Sequence, residues 1–137
     1  MDRKEFCVLM AKAKQESGRG TSDISFDMKM LLPTLRRFEK GEHNFNLKKV
    51  MEYLQVINAH IKIGKDIIAN YESLLAWLVD VRKTHSFSQR ALAKEIGCAP
   101  LTIANIERGE TIISIDTFLK VVDVLGYVIN IEDNKIV

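Results

Sequence analysis

Cysteine is scarce in this sequence of 137 residues, and its two cysteines, Cys7 and Cys98, lie 91 positions apart. Two such distant thiols are too few for a disulfide framework, which favours a reducing compartment. Long apolar runs are also missing, since the longest extends only from Leu74 to Val79, whereas a membrane span needs ~20 residues. The first residues lack the apolar core of a signal peptide. We therefore expect a cytoplasmic protein that does not enter a membrane.

The side-chain combinations that catalyse reactions or hold cofactors are missing as well. No Ser-His-Asp or Cys-His order, glycine-rich phosphate loop or paired acidic motif occurs. The three histidines, His43, His60 and His85, are not spaced with either cysteine as metal ligands are. The sequence thus predicts neither an enzyme nor a protein that binds a metal or another cofactor.

Charge is distributed unevenly along the chain. Residues 1–66 contain 13 basic and 9 acidic side chains, whereas residues 67–137 contain 7 basic and 9 acidic ones, so the two parts carry +4 and −2. The first part is therefore the more attractive to a polyanion such as nucleic acid.

A weak internal repeat extends over nearly the whole chain. A shift of 68 positions aligns residues 6–63 with residues 74–131 without a gap. It places Phe-Glu-Lys-Gly-Glu at 38–42 on Ile-Glu-Arg-Gly-Glu at 106–110. Because the register is unbroken and this block is shared, we predict two tandem copies of one structural unit.

Both copies predict the same order of elements. Apolar residues recur at helical spacing over four segments of each copy, and a short alternating segment then predicts a strand. Gly97 supplies a turn residue before the third helix of the second copy, where the first copy has Lys29, so the first turn is predicted to be less well specified. The predicted helices are 3–15, 21–28, 31–40 and 46–57, then 69–84, 88–96, 100 to a stop at 109, and 114–125; the predicted strands are 59–63 and 127–131.

The second copy contains Ser-Gln-Arg-Ala-Leu-Ala-Lys-Glu-Ile-Gly at 88–97 and Thr-Ile-Ala-Asn-Ile-Glu-Arg-Gly at 102–109. This pattern resembles the Cro/repressor-type helix-turn-helix family, also called the XRE family, strongly over about 71–131 and weakly over 6–63. The resemblance implies an all-α fold of two tandem lambda-repressor-like bundles, whose third helices enter the major groove of duplex DNA. The copies are predicted at 1–66, which is degenerate, and 67–137.

The resemblance also implies which residues contact DNA. Ser88 and Gln89 would meet phosphates at a helix amino terminus, where free N–H groups stabilise an anion. The other DNA-contacting residues of the second copy would be Leu101, Thr102 and Asn105 in the groove and Arg108 near the backbone. The matching residues of the first copy are Pro33, Thr34, Arg36 and Arg37, with Lys40 near the phosphates.

Few of these side chains suit the reading of bases by hydrogen bonds. The family's better readers have polar side chains at the start of the third helix, whereas this sequence has Pro-Leu at 100–101 and Leu-Pro at 32–33. A bidentate polar pair discriminates between bases by ~1–3 kcal/mol. Leu101 could pack on a thymine methyl, Asn105 could read an adenine and Arg37 a guanine. We therefore expect modest sequence specificity, with phosphate contacts supplying much of the affinity.

Two ion pairs follow from the same resemblance. The family often connects its first helix to its third through an Arg–Glu pair, and the matching residues are Arg82 with Glu107 and Lys14 with Glu39. Both copies have opposite charges at these positions. The predicted role is structural, to fix the angle between the helices, because a buried ion pair is weak evidence for net stability.

Repressors of this family usually act as two-fold dimers, with recognition helices about one DNA turn (~34 Å) apart. Two copies in one chain can form that arrangement internally. Each copy offers one strand, and their antiparallel pairing in a two-stranded sheet would satisfy the backbone groups of both. We therefore expect an intramolecular pseudo-dimer that binds an imperfect palindrome, either as a monomer or as a further homodimer.

The leading interpretation is a transcriptional regulator that binds double-stranded DNA. One alternative is the antitoxin of a toxin–antitoxin pair, which would also mask a toxin protein, although the short ending at 132–137 leaves little room for a toxin-binding tail. Another alternative is a protein-interaction scaffold whose degenerate helices no longer read DNA. Co-purification with a small basic partner would identify the antitoxin, and DNA binding without steep salt dependence would identify the scaffold.

Overall fold

The computed structural model describes residues 1–134, within which eight helices and three strands occur. In chain order they are α1 (Arg3–Ser17), α2 (Thr21–Met28), α3 (Leu32–Glu39), α4 (Leu47–Val56), β1 (Ala59–Ile63), β2 (Asp66–Ile68), α5 (Tyr71–Thr84), α6 (Gln89–Ile96), α7 (Pro100–Glu107), α8 (Ile115–Val124) and β3 (Ile129–Asp133). None of these helices combines the length and the apolar character that crossing a bilayer requires. Residues 135–137, the end of the predicted second copy and of its short tail, lie outside the described residues.

Capping residues fix where most helices begin. Side-chain oxygens accept backbone N–H groups of the first helical turn at Asp2, Asn46, Asn70, Ser88 and Ser114, which precede α1, α4, α5, α6 and α8. By contrast, α3 and α7 have a proline in the first turn, where its missing N–H group is not needed. The eight predicted helices are confirmed, with ends within two residues of those predicted.

The sheet has three strands in the order β2-β1-β3, so the predicted two-stranded sheet is wrong in strand number. The predicted antiparallel pairing of the strands at the ends of the two copies does occur, between β1 and β3, although β3 begins two residues later than predicted. The additional strand β2 pairs with β1 across a two-residue hairpin turn, in which Gly64 has a φ of +59°. A segment of three residues is too short to show alternation, so the sequence does not predict β2.

One of the residue pairs between strands β1 and β3 joins two residues that lie 68 positions apart in the sequence. Lys62 pairs with Asn130, the fourth of the five pairs in the register, and the apolar pairs on both sides of it face the core. The flanking pairs are Ile61 with Ile131 and Ile63 with Ile129.

A second contact also joins residues 68 positions apart. Asn46 and Ser114, the residues that cap α4 and α8, form an isolated antiparallel bridge. Because α4 has 10 residues, this bridge lies about 15 Å along that helix from the sheet. The hydrogen bonds at the bridge run from Leu47 N to Ile113 O, 2.9 Å, and from Ile115 N to Phe45 O, 2.7 Å.

One cluster of buried apolar side chains includes residues of both the N-terminal half (residues 1–66) and the C-terminal half (residues 67–134). Helix α1 contacts α8 and β3, and α5 contacts α4 and β2. The indole of Trp77 is 7% exposed, and its Nε1 donates a hydrogen bond to Asp66 Oδ2 at 3.1 Å. The two halves therefore share a core.

Because the halves share a core, a substitution that destabilises one half should also shift the unfolding transition of the other. We expect Ile61→Ala to lower the free energy of unfolding by about 2–5 kcal/mol, because Ile61 is fully buried in the central strand. The fluorescence of Trp77, the sole tryptophan, should report this shift from the C-terminal half. As a control, Val128→Ala removes a side chain that is 78% exposed and should change stability by less than about 0.5 kcal/mol. An unchanged Trp77 transition in Ile61→Ala would contradict a common core.

Candidate nucleic-acid interface

Two pairs of contacting helices, α2 with α3 and α6 with α7, are each connected by a short turn. The residue after the first helix of each pair has a left-handed backbone, with a φ of +54° at Lys29 and of +76° at Gly97. Glycine adopts this conformation freely, whereas a residue with a Cβ atom is strained by roughly 1 kcal/mol. The backbone at Lys29 is therefore the less favourable of the two turns.

We expect Lys29→Gly to raise the free energy of unfolding by about 1 kcal/mol, because it removes this strain at an exposed position. The reverse change, Gly97→Lys, should lower stability by a similar amount, although the space around Gly97 is open. Urea denaturation of both variants measures the two effects. A lower free energy of unfolding in Lys29→Gly would contradict this expectation. It would show that the lysine side chain stabilises the fold by more than the backbone strain destabilises it.

Helix α7 buries one face and exposes the other. Ile103 and Ile106 are each 4% exposed and pack into the core, whereas Leu101 is 63% exposed. Thr102 and Asn105, two other residues predicted to enter the groove, are half-buried. All three predicted groove residues of the C-terminal half therefore lie on or beside the solvent-facing side of α7.

Helix α3 has the same arrangement with a more basic surface. Leu35 and Phe38 are buried, whereas Thr34 is half-buried. The remaining predicted contact residues of the N-terminal half are exposed, and they are Pro33, Arg36, Arg37 and Lys40.

The two helices differ in how their basic groups are paired. Within residues 1–134, Arg36 and Arg37 take part in no ion pair and no side-chain hydrogen bond. Arg108, in contrast, donates to Asn105 Oδ1 at 2.5 Å and lies 3.4 Å from Glu110 Oε2. The guanidinium groups of Arg36 and Arg37 on α3 are thus available to an anion, whereas that of Arg108 at the end of α7 already has acceptors.

The residues predicted to pair α5 with α7 are in contact. Arg82, which is 8% exposed, donates from Nε and Nη2 to the two carboxylate oxygens of Glu107 at 2.6 and 2.9 Å. Its remaining nitrogen, Nη1, donates to Phe87 O at 2.8 Å. Both carboxylate oxygens and each of the three guanidinium nitrogens therefore have at least one partner at this low exposure, as a strong bidentate pair requires.

Gln89 and Ser88 have structural contacts at the start of α6. Gln89, predicted to meet phosphates, donates from Nε2 to Glu107 Oε1 at 3.0 Å, so its amide group supports the ion pair of α7. Ser88 accepts the N–H group of Ala91 at 3.0 Å and remains exposed at the helix end. The contact of Gln89 with Glu107 is not predicted by the motif alone.

The environment of Glu107 determines its protonation. Burial raises the pKa of this carboxyl group, but hydrogen bonds from Arg82 and Gln89 and the charge of Arg82 outweigh burial and lower it below its ordinary value. Glu107 is therefore a carboxylate at neutral pH and can hold both donors.

The corresponding residues of the N-terminal half form a looser cluster. Lys14 Nζ lies 2.9 Å from Glu39 Oε2 and also donates to Thr21. Tyr53 donates its hydroxyl proton to the same Glu39 oxygen at 2.6 Å. Burial, followed by this hydrogen bond and the charge of Glu39, raises the pKa of Tyr53 far above its ordinary value, so the tyrosine remains a donor.

Two exposed apolar residues beside the turn of the N-terminal half were missed from the sequence. Phe26 of α2 is 84% exposed, and Leu31, the residue before α3, is 77% exposed. The alignment of the two copies could have indicated both, because the residues aligned with Phe26 and Leu31 are Lys94 and Ala99, and neither of these is a large apolar residue of the kind that is buried.

Within residues 1–134, no group of three or more histidine, cysteine, aspartate or glutamate residues is placed to hold a metal ion.

Residues 78–128 match the protein family described as Helix-turn-helix. The matched segment begins within α5 and includes α6, α7 and α8, with the pair formed by Arg82 and Glu107. The match supports a Cro/repressor-type helix-turn-helix in the C-terminal half, which suggests DNA binding and transcription regulation. The comparisons with curated proteins and with solved structures found no significant match.

Proposed function

We propose that this protein is a transcriptional regulator that binds one site on double-stranded DNA with both halves, as an intramolecular pseudo-dimer. The observation that carries the proposal is the pairing of residues 68 positions apart at two places, Lys62 with Asn130 and Asn46 with Ser114. In a two-fold interface the same surface of both units meets itself, and equivalent residues meet on the axis. The sequence repeat has the same offset of 68 residues.

Two further sets of contacts between the halves agree with this symmetry, although the contact of α1 with β3 has no comparable counterpart between α5 and β1 within residues 1–134. The shift of 68 residues converts the pair Ile61–Ile131 into the pair Ile129–Ile63, and both pairs occur. It likewise converts the contact of α1 with α8 into that of α5 with α4, and both of these occur as well. These relations support two tandem copies, and the same axis would relate α3 to α7.

The proposed DNA-binding surface lies away from the sheet. Helices α3 and α7 lead through short loops to Asn46 and Ser114 at the bridge, whereas the sheet follows the opposite ends of α4 and α8. We therefore infer that the exposed faces of α3 and α7 lie at the bridge end of the axis. Two recognition helices related in this way would enter successive major grooves, as in dimeric repressors.

The site would be an imperfect palindrome, because the two helices present different side chains. Arg36 and Arg37 are unpaired in the described part of the chain and suit phosphates or a guanine, whereas Asn105 suits an adenine. With so few polar groups on the two faces, phosphate contacts would supply much of the affinity.

The test is selection of bound fragments from random duplex DNA, carried out with the wild type and with Arg37→Ala and Asn105→Ala. We expect the wild type to select a site with two unlike half-sites. A variant that loses binding to all sequences has lost a backbone contact, and a variant with a relaxed consensus has lost a base contact. Failure of the wild type to retain any duplex would overturn the proposal.

A protein-interaction scaffold is the second candidate, because the exposure of Phe26 and Leu31 leaves large apolar side chains in solvent. Salt dependence separates the two candidates. A regulator that neutralises phosphates loses affinity for a duplex steeply as salt rises, whereas a scaffold shows no such loss. Fluorescence anisotropy of a labelled duplex between 50 and 300 mM salt, about the range over which this effect is large, makes the measurement.

A further inference from the structure

The residue before α3 and the first turn of α7 each expose a leucine, in segments that contain few hydrogen-bonding side chains. Residues 31–34 are Leu-Leu-Pro-Thr, and residues 99–102 are Ala-Pro-Leu-Thr, so threonine is the only polar side chain in each. Leu31 and Leu101 are 77% and 63% exposed. An apolar partner that covers an exposed leucine at either proposed reading surface would gain free energy by removing it from water.

We infer that Leu31 and Leu101 read the C5 methyl groups of thymines, which makes this protein a thymine-methyl-dependent DNA binder. The inference rests on the proposed function, because it requires that α3 and α7 enter the major groove. Among the groups by which a base pair is distinguished in that groove, the thymine methyl is the apolar one, and the others are hydrogen-bond donors and acceptors. A leucine side chain can gain affinity only from the methyl.

Charge complementarity favours DNA over a protein as the occupant of this surface. Arg36 and Arg37 lie five and six residues after Leu31, are exposed and pair with no acid among residues 1–134. Unpaired guanidinium groups on the helix that follows an apolar contact suit a ligand that combines phosphates with methyl groups.

The two leucines are not at equivalent positions of the repeat. Leu31 lies three residues before Thr34, whereas Leu101 lies one residue before Thr102. In the 68-residue register Leu31 aligns with Ala99, and Leu101 aligns with Pro33. The thymine that each half reads would therefore occupy a different position in its half-site, which gives the site a specific asymmetry.

The experiment replaces thymine by deoxyuridine, which keeps Watson–Crick pairing and removes only the methyl group. The full-length chain is titrated against the selected duplex and against duplexes with deoxyuridine in one half-site or the other. Burial of one methyl group is worth about a fourfold change in affinity. We expect about a fourfold loss for each half-site, with Leu31→Ala insensitive to the substitution in the α3 half-site and Leu101→Ala insensitive to it in the α7 half-site.

Val128→Ala is the matched control, because Val128 is as exposed as Leu31 and lies next to the sheet. This variant should respond to deoxyuridine as the wild type does. Strong duplex binding that is indifferent to deoxyuridine, or equally sensitive in the wild type and both leucine variants, would overturn the inference and leave the proposed function intact. Absence of binding to any duplex would overturn both.

Discussion

Replacing Arg36 and Arg37 together by glutamine should lower the affinity for duplex DNA about 50-fold at 0.1 M salt. The reason is that both guanidinium groups are exposed on α3 and pair with no acid in the described part of the chain, so both are available to phosphates. Each phosphate contact releases a counterion and contributes about 0.9 to the slope of log affinity against log salt concentration. The double variant should therefore reduce that slope by about 1.8, which anisotropy titrations at several salt concentrations measure.

The matched control removes the same charge from another part of the surface. Lys62 lies in β1 and Lys65 in the hairpin turn that follows, at the opposite end of α4 from the proposed DNA surface. The double variant Lys62→Gln with Lys65→Gln should change the slope little. Equal effects in the two double variants would mean that the affinity depends on net charge and not on the position of α3.

The second large effect is expected from Glu107→Gln, which should lower the free energy of unfolding by about 3 kcal/mol. Removing one partner of a buried ion pair leaves the other charge without compensation. Here the remaining charge would be that of Arg82, which is 8% exposed, and the donor Gln89 would also lose its carboxylate. Urea denaturation at neutral pH measures this loss.

The same residue predicts a specific dependence of stability on pH. Because the pKa of Glu107 is lower in the folded protein than in the unfolded chain, the unfolded chain binds more protons between these two values. The stabilisation is therefore complete above the ordinary pKa of about 4.5 and is lost as the pH falls through the lowered value. Glu107→Gln should flatten the decline of stability in this acidic range.

Glu39→Gln provides the comparison within the same chain. The side chains of Lys14 and Glu39 are 22% and 17% exposed, against 10% and 11% for Arg82 and Glu107, so solvent screens the N-terminal pair more. We expect Glu39→Gln to lower stability by less than half as much as Glu107→Gln. A loss of stability equal to or larger than that of Glu107→Gln would contradict this expectation. It would show that the hydrogen bond from Tyr53 to Glu39 outweighs the greater exposure of the N-terminal pair.

The helices could be predicted from the sequence because their signals are local. Buried residues recur at helical spacing, as Leu35 and Phe38 do in α3, and capping residues such as Asn46 and Ser114 precede the helices that they begin. The family resemblance also predicts the pairs of Arg82 with Glu107 and of Lys14 with Glu39, and both pairs are in contact.

Features that depend on packing between distant segments could not be predicted in the same way. The strand β2 has three residues, and it forms because the two-residue turn at Gly64 returns the chain along β1. The hydrogen bond of Gln89 to Glu107 depends on how closely α6 approaches α7, which a motif does not specify. The exposure of Leu31 likewise depends on how α3 packs against its neighbours, which the local sequence does not specify.

The N-terminal half, predicted to be a degenerate copy, has the more basic reading helix. Its turn at Lys29 is strained and its ion pair is more exposed, yet Arg36 and Arg37 remain unpaired within residues 1–134. The C-terminal half has the better-defined turn and the family match, and its Arg108 already has acceptors. We therefore expect the N-terminal half to supply phosphate affinity and the C-terminal half to supply more of the base reading.

Hydroxyl-radical footprinting of a one-to-one complex, with a single chain on its selected duplex, tests most directly whether α3 and α7 engage one DNA molecule together. The account predicts two protected patches on one face of the duplex, centred about 10 base pairs apart and of unlike sequence. In the Arg36→Gln, Arg37→Gln double variant, only the patch beneath α3 should weaken. A single patch, or two patches that appear only when a second chain binds, would contradict the account.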